Sequence, residues 1–349
     1  MRIAQIAPLW FPVPPRDHGG TERVIATLCD GLVAAGHDVT LFAASGSRTA
    51  ARLEDMGPPV GFMDNPPPSL VSARECIMLD RVAAMADRFD VIHCHTELYH
   101  AAVLRRHRDR LVMTIHWRAD EADRQAYFAH FDDLKVIAIS DAQAASLPQA
   151  NRYGTVHHGY APDYLAFSPE PQGYAAFIGR LTDQKRPDRA IAIARKAGLP
   201  LRLAGTIDVG NPTYYRREVE PHLGEDARYV GPVDDAGKQA LLAGASVLLF
   251  PIDWPEPFGL VMIEAMACGT PVVAFDHGSV REVIDEGVTG FVVGSVEEAA
   301  EAVRRAVRLD RAAVRARFEE RFTDAVMVSG YEAAFRKIAA KYQLTQRGT

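Results

Sequence analysis

Cysteine is scarce in this chain: four among 349 residues, at positions 29, 76, 94 and 268, with no Cys-x-x-Cys pair. That excludes a disulfide framework and a Cys-ligated zinc site, and a reduced, cytoplasmic setting is expected. Long apolar runs are missing too, and nothing approaches the ~20 residues of a membrane-spanning helix. Residues 1–8 read as a first strand and lack the layout of a signal peptide. Positive charge is not in excess: 39 Lys and Arg stand against 45 Asp and Glu, which argues against a nucleic-acid partner. No Gly-x-Gly-x-x-Gly occurs, which lowers a nicotinamide reading.

What is present is a globular composition, 48% hydrophobic and 24% charged, arranged as alternating strands and helices. Strands are expected at residues 2–8, 38–44, 90–95, 110–116, 135–140 and 155–158. A second series covers 174–180, 201–204, 227–231, 245–251, 270–276 and 290–293. A helix over residues 21–35 stops at Gly36. Such alternation implies parallel sheets covered on both faces, here in two doubly wound α/β domains. Pro162, Pro169, Pro171 and Gly173 break regular structure between them, which sets the domains at residues 1–165 and 172–322. The segment from 323 reads as an amphipathic helix containing Gly330.

The densest motif is Pro255-Glu256-Pro257-Phe258-Gly259-Leu260-Val261-Met262-Ile263-Glu264, followed by Ala265-Met266-Ala267-Cys268-Gly269-Thr270-Pro271-Val272-Val273. Residues 245–251 before it form a buried strand, and Glu256 between two prolines is extended. A helix is expected from Phe258-Gly259, with Pro257 pre-organising its first turn. Its first amides lack internal partners and carry the positive dipole end, so they suit an anion. Gly259 lets a phosphate approach the backbone. Glu256 and Glu264, at most roughly 12 Å apart along a helix, would bracket a ligand with a pyrophosphate in its middle and hydroxyls at both ends.

This motif resembles the signature of retaining glycosyltransferases of family four, which have the GT-B fold: two Rossmann-like domains facing a central cleft. The resemblance implies that Glu256 contacts the transferred sugar, that Glu264 grips the ribose, and that the amides of Phe258, Gly259 and Leu260 hold the distal phosphate. It also implies that the terminal helix, residues 323–349, packs back onto the first domain. Phe177-Ile178-Gly179-Arg180-Leu181-Thr182-Asp183-Gln184-Lys185 matches the family's Gly-Arg-Leu…Lys element. Arg180 and Lys185 there would neutralise charge growing on a departing nucleoside diphosphate. Asp17-His18-Gly19-Gly20 resembles the family's first-domain glycine loop, and Gly19 and Gly20 are assigned to the donor phosphate. Thr114-Ile115-His116 resembles its Thr-x-His element, placing His116 beside the transferred sugar and acceptor. Backbone near Val233 would touch the base.

The implied activity is hexose transfer from a nucleoside-diphosphate sugar, UDP-linked by default, to an acceptor hydroxyl with retention of configuration. No resident cofactor is expected. The acceptor remains open between a small molecule, a glycan and a lipid-linked sugar, with peripheral membrane contact allowed. Metal-dependent sugar transferases usually carry an Asp-x-Asp pair, and this chain has none, so metal-independent transfer is expected. A GT-B nucleotide-sugar epimerase and a non-catalytic sugar-nucleotide binder are the rival readings. His93-Cys94-His95 places two imidazoles on one strand face, yet no third ligand completes a metal site. His95 reads as a cleft wall or acceptor contact. Glu22 and Arg23 fit a helix surface equally well, and neither is given a role. The basic run Arg105-Arg106-His107-Arg108-Asp109-Arg110 reads as a solvated helix end or a docking patch for anions.

Overall fold

Short apolar runs, buried along nearly their whole length, alternate with amphipathic helices and build two all-parallel sheets. The protein is described by a computed structural model covering residues 1–16 and 19–347. Two compact units result: residues 1–161 with 324–349, and residues 162–323.

The first unit carries strands β1 (Arg2–Ile6), β2 (Asp38–Ala43), β3 (Arg52–Asp55), β4 (Val91–Cys94), β5 (Leu111–Thr114), β6 (Lys135–Ala138) and β7 (Asn151–Thr155). They lie in the order β3-β2-β1-β4-β5-β6-β7. Strand order therefore reverses between β1 and β4, and ligands of open α/β sheets collect at the carboxyl ends beside such a reversal. The register sets Gln5 of β1 opposite His93 of β4. One face of this sheet packs a core that includes Phe42, Met78, Phe89, Ile92, Met113 and Phe128.

The terminal helix Asp324–Arg347 belongs to this first unit and buries Tyr331, Phe335 and Ile338 completely. Two glycines let it seat. A Cβ on Gly31 would fall 2.5 Å from Val328 Cγ2, and one on Gly330 would fall 3.0 Å from Val156 Cγ1.

The second unit carries β8 (Tyr174–Ile178), β9 (Leu201–Ala204), β10 (Ala227–Tyr229), β11 (Ala245–Phe250), β12 (Val272–Phe275) and β13 (Gly290–Val293) in the order β10-β9-β8-β11-β12-β13. Its reversal lies between β8 and β11. Its core includes Phe177, Leu203, Leu249, Val273, Phe291 and Val303.

Four local expectations are corrected. Strand β3 was not expected, because Arg52-Leu53-Glu54-Asp55 is short, polar and half exposed; it is the edge strand of its sheet. Strand β7 runs Asn151–Thr155 instead of starting at Thr155, and it is another half-exposed edge without an apolar run to mark it. The helix after Pro257 begins at Leu260, two residues late, because Gly259 sits at φ +79° in the left-handed region, outside helical geometry. The basic run is not uniformly solvated. Arg110 is buried, donating to the Phe89 carbonyl at 3.2 Å and to Asp87 at 2.8 Å, with Tyr342 stacked 4.5 Å from its guanidinium.

Candidate functional site

In the second unit the loop after β8 is folded onto the loop after β11. Leu181 is fully buried and bridges to Ile207, and the Asp253 amide donates to the Gln184 carbonyl at 2.8 Å. Arg186 turns the chain at φ 54° into the helix Pro187–Ala197, held by Asp188 and Asp253. These constraints deliver Lys185 to Glu256, and the two form an ion pair. Trp254 Nε1 donates to the same Glu256 carboxylate at 2.9 Å, and its ring lies 4.6 Å from the Lys185 ammonium. A carboxylate only 7% exposed thus receives two donors, as burial of a charge demands.

The backbone of Glu256 is gripped as well. Its carbonyl accepts from the Ser279 amide at 3.0 Å, while Ser279 Oγ donates to the Phe258 carbonyl at 2.8 Å. The Phe258 ring is buried, edge-on to Phe322 with centroids 6.1 Å apart, so it offers a ligand only its main chain. Gly259 precedes the helix Leu260–Ala267, and a Cβ there would meet Met262 Cε at 2.6 Å. Glycine is therefore required by backbone conformation and packing as much as by access. Leu260 and Val261 occupy the first turn, where amides have no preceding helical carbonyl and face the positive end of the dipole.

Glu264, on that helix and 4% exposed, accepts from Lys238 Nζ at 2.6 Å. Lys238 comes from the helix Asp235–Gly244, whose first turn is capped by Asp234 accepting from the Gly237 amide at 2.8 Å. Val233 lies half-buried immediately before that cap. Arg180 is exposed and its side chain has no partner among the described residues. The structure thus brings Lys185 to Glu256 and leaves Arg180 open to solvent. Three participants were missed: Lys238, Trp254 and Ser279. Lys238 was readable as a cation one turn into a capped helix, and Trp254 as the aromatic preceding Pro255. Ser279 carried no sequence signal.

In the first unit, Gly19 caps the helix Gly20–Ala34 at φ +138°, and Gly20 is its first residue. Asp17 and His18 of that motif lie outside the described residues. Glu22 is not a surface residue. It is 5% exposed, its Oε2 lies 2.9 Å from where a Cβ on Gly19 would be, and burial raises its carboxyl to about 7. Proximity of the first-turn carboxyl to the missing Cβ ties the glycine to the helix start.

His116 follows β5 and is one of a column of imidazoles. His95 Nδ1 lies 2.8 Å from His116 Nε2, and His95 Nε2 lies 2.8 Å from Gln5 Oε1. His158 stacks on His116 with centroids 5.3 Å apart. His93 lies 4.1 Å from the His95 ring and bonds Thr114 Oγ1 at 2.7 Å, which in turn meets Tyr331 of the terminal helix at 3.1 Å. Burial pulls His116 down to about 3, and burial followed by neighbouring imidazoles holds His93, His95 and His158 well below the usual range. Neutral rings in mutual hydrogen bonds are the consequence. Among the described residues no group of three or more His, Cys, Asp or Glu could hold a metal ion, and no helix is long and apolar enough to cross a membrane.

Residues 166–323 match the family model described as glycosyl transferases group 1, and residues 18–164 match that of glycosyltransferase family 4. The phosphatidyl-myo-inositol mannosyltransferase of Mycobacterium leprae is 26% identical over 98% of this chain and 96% of its own. Among solved structures, AviGT4, a glycosyltransferase involved in avilamycin A biosynthesis, aligns with a TM-score of 0.74 at 23% identity, covering 97% of this chain and 98% of its own. Anabaena HepE, solved with UDP and glucose, gives a TM-score of 0.72 at 20% identity over 97% of this chain and all of its own. At these identities the two solved structures speak to the fold alone.

Proposed function

Because the chain belongs to glycosyltransferase family 4, with that family's two domains on a GT-B fold, we propose that it moves a hexose from a nucleoside-diphosphate sugar to an acceptor hydroxyl with retention of configuration. Glycosyl transfer from a sugar nucleotide is the coarse activity. The finer reading rests on one observation. Two buried glutamates, Glu256 and Glu264, flank the first turn of a single helix, and each carries a lysine.

In this reading the diphosphate occupies the helix start at Gly259 and Leu260, where unpaired amides and the dipole favour an anion. Glu264 receives the ribose hydroxyls, and Glu256 contacts the transferred sugar. Arg180 and Lys185 take up the negative charge that develops on the leaving diphosphate. Lys185 would exchange part of its bond with Glu256 for the phosphate oxygens. Val233 lies by the base. The leaving diphosphate itself accepts the acceptor's proton, so no additional carboxylate base is needed. His116 is assigned to the transferred sugar and acceptor, and the Gly19-Gly20 helix start to the donor phosphate.

UDP is the proposed base-bearing half, as the default donor nucleotide that the family resemblance implies. The named relative, which acts on phosphatidyl-myo-inositol, makes a ring polyol a reasonable first acceptor to assay. Incubating the protein with UDP- and GDP-sugars, with and without an acceptor panel of inositol, inositol phosphate, phosphatidylinositol and oligosaccharides, tests the proposal. The α-anomeric product from an α-linked donor is expected, with undiminished rate in excess EDTA. Conversion of donor without any acceptor would favour an epimerase. Total loss under EDTA, restored by magnesium, would overturn the charge assignment to Arg180 and Lys185.

A further inference from the structure

We propose that Gln5 and His95 are positioning residues for His116: they hold its ring by Nε2 and set the tautomer in which Nδ1 presents a lone pair to a substrate hydroxyl. This rests on the reading of His116 as a group that touches substrate. The three residues come from adjacent strands or their ends, since β1, β4 and β5 are neighbours at the point where strand order reverses.

Donation runs in one direction along Gln5, His95 and His116. Gln5 is fully buried, and its Oε1 only accepts, so His95 Nε2 at 2.8 Å donates. A neutral imidazole has one N–H, which leaves His95 Nδ1 as an acceptor. His116 Nε2, 2.8 Å away, must then donate. The single proton of a neutral His116 is thereby committed, and Nδ1 is left with its lone pair. His158 stacks on the ring at an interplanar angle of 14°, which blocks rotation out of this bond. His93 supports His95 from its other side and is itself fixed by Thr114.

A second feature makes the arrangement switchable by chemistry at one atom. The Nε2 of Gln5 is buried with no partner among the described residues. Rotating that amide by half a turn would make it a donor, reverse both imidazoles, and place the proton on His116 Nδ1. The proton position at His116 is therefore dictated by which end of one amide faces His95.

Long-range ¹H–¹⁵N correlation on protein labelled at histidine reads the tautomer without substrate. Wild type should show pyridine-like Nδ1 and pyrrole-like Nε2 at His116. Gln5→Glu, which can only accept when ionised, should retain that pattern. Gln5→Leu and His95→Phe should give mixed tautomers and lower kcat by about 10-fold to 100-fold, less than the 10²–10⁴ carried by a general acid or base itself, with donor KM within about twofold. A pyrrole-like Nδ1 in wild type overturns the proposal, and so does an unchanged tautomer and kcat in both variants. If those two variants fail to melt cooperatively, the wild-type and Gln5→Glu spectra decide it. His116→Ala with wild-type turnover would instead overturn the substrate role of His116, which the substrate-free spectra keep separate from the positioning claim.

Discussion

A Cβ placed on Gly278 would lie 2.2 Å from the carbonyl oxygen of Glu256 and 2.5 Å from its amide nitrogen. The loop after β12 therefore presses backbone to backbone on the segment that carries the carboxylate proposed to contact the transferred sugar. Gly278 also sits at φ +60°, which L side chains rarely adopt. Gly278→Ala is expected to push Glu256 out of place, lowering kcat at least about tenfold and stability by about 1–3 kcal/mol. Steady-state kinetics with a thermal melt checks it. Full turnover in a folded variant would show that Glu256 does not depend on this contact.

Glu264 and Glu256 should separate in their effects. Glu264→Ala is expected to weaken binding of UDP about 10-fold to 100-fold, the loss of a hydrogen bond to a charged group being about 1.5–3 kcal/mol. Glu256→Ala should leave UDP affinity nearly unchanged and lower turnover. Lys238→Ala should resemble the Glu264 variant, because it leaves that buried carboxylate without its 2.6 Å partner. Calorimetric titration of UDP against the three variants is decisive, and wild-type affinity in Glu264→Ala removes the ribose assignment.

Arg180 and Lys185 make a further pair with unequal surroundings. Arg180 is exposed, while Lys185 is half-buried on Glu256 and Trp254. If both stabilise the leaving diphosphate, each alanine substitution should cost roughly 10²–10³ in kcat with a smaller change in KM. Arg180→Ala should leave the melting temperature untouched, since that side chain bonds nothing among the described residues. A variant of either residue keeping more than half of wild-type turnover would reduce it to a surface charge.

Glu22 gives a pH-dependent test with a definite sign. Burial raises its folded carboxyl to about 7, against the ordinary glutamate value of 4.5 in the unfolded chain. Between those values the folded state binds more protons, so stability falls as pH rises through that window and levels off above it. Glu22→Gln removes the ionisation. Its stability relative to wild type should grow from pH 4.5 to pH 7 and reach about 3 kcal/mol at pH 8. The buried imidazoles act in the opposite sense: with folded pKa values lowered, they cost stability as pH falls below about 6.5. Urea midpoints of both proteins at pH 4.5, 6 and 8 check the window. A difference that does not vary with pH would place Glu22 outside this account.

Much of the layout was legible because buried parallel strands are written as continuous apolar runs. Ala245–Phe250 and Val272–Phe275 announce themselves this way, while the edge strands Arg52–Asp55 and Asn151–Thr155 do not. The pairing of Glu256 with Lys185 could not be read, because it depends on a long-range bond between the Asp253 amide and Gln184. Helix periodicity gave the amphipathic run near Tyr331 but not its hydroxyl bond to Thr114, which joins positions 217 residues apart. Glu22 was left without a role for a related reason: polarity is compatible with the surface, and only tertiary packing reveals a carboxyl held beside a glycine.

The first unit is discontinuous in sequence, since the second unit occupies residues 162–323 between its two parts. Every strand of both sheets is therefore synthesised before the helix Asp324–Arg347 exists. A nascent chain stopped short of Asp324 has the whole second unit in hand. Its first unit still lacks Tyr331, Phe335 and Ile338, with the His93 side of the sheet uncovered. Order of maturation on the ribosome then runs against order in the gene: the unit encoded second is the first that can close. Until that helix is made, His93 lacks the rings of Tyr331 and Phe335 that lie 5.2 Å and 5.1 Å from it.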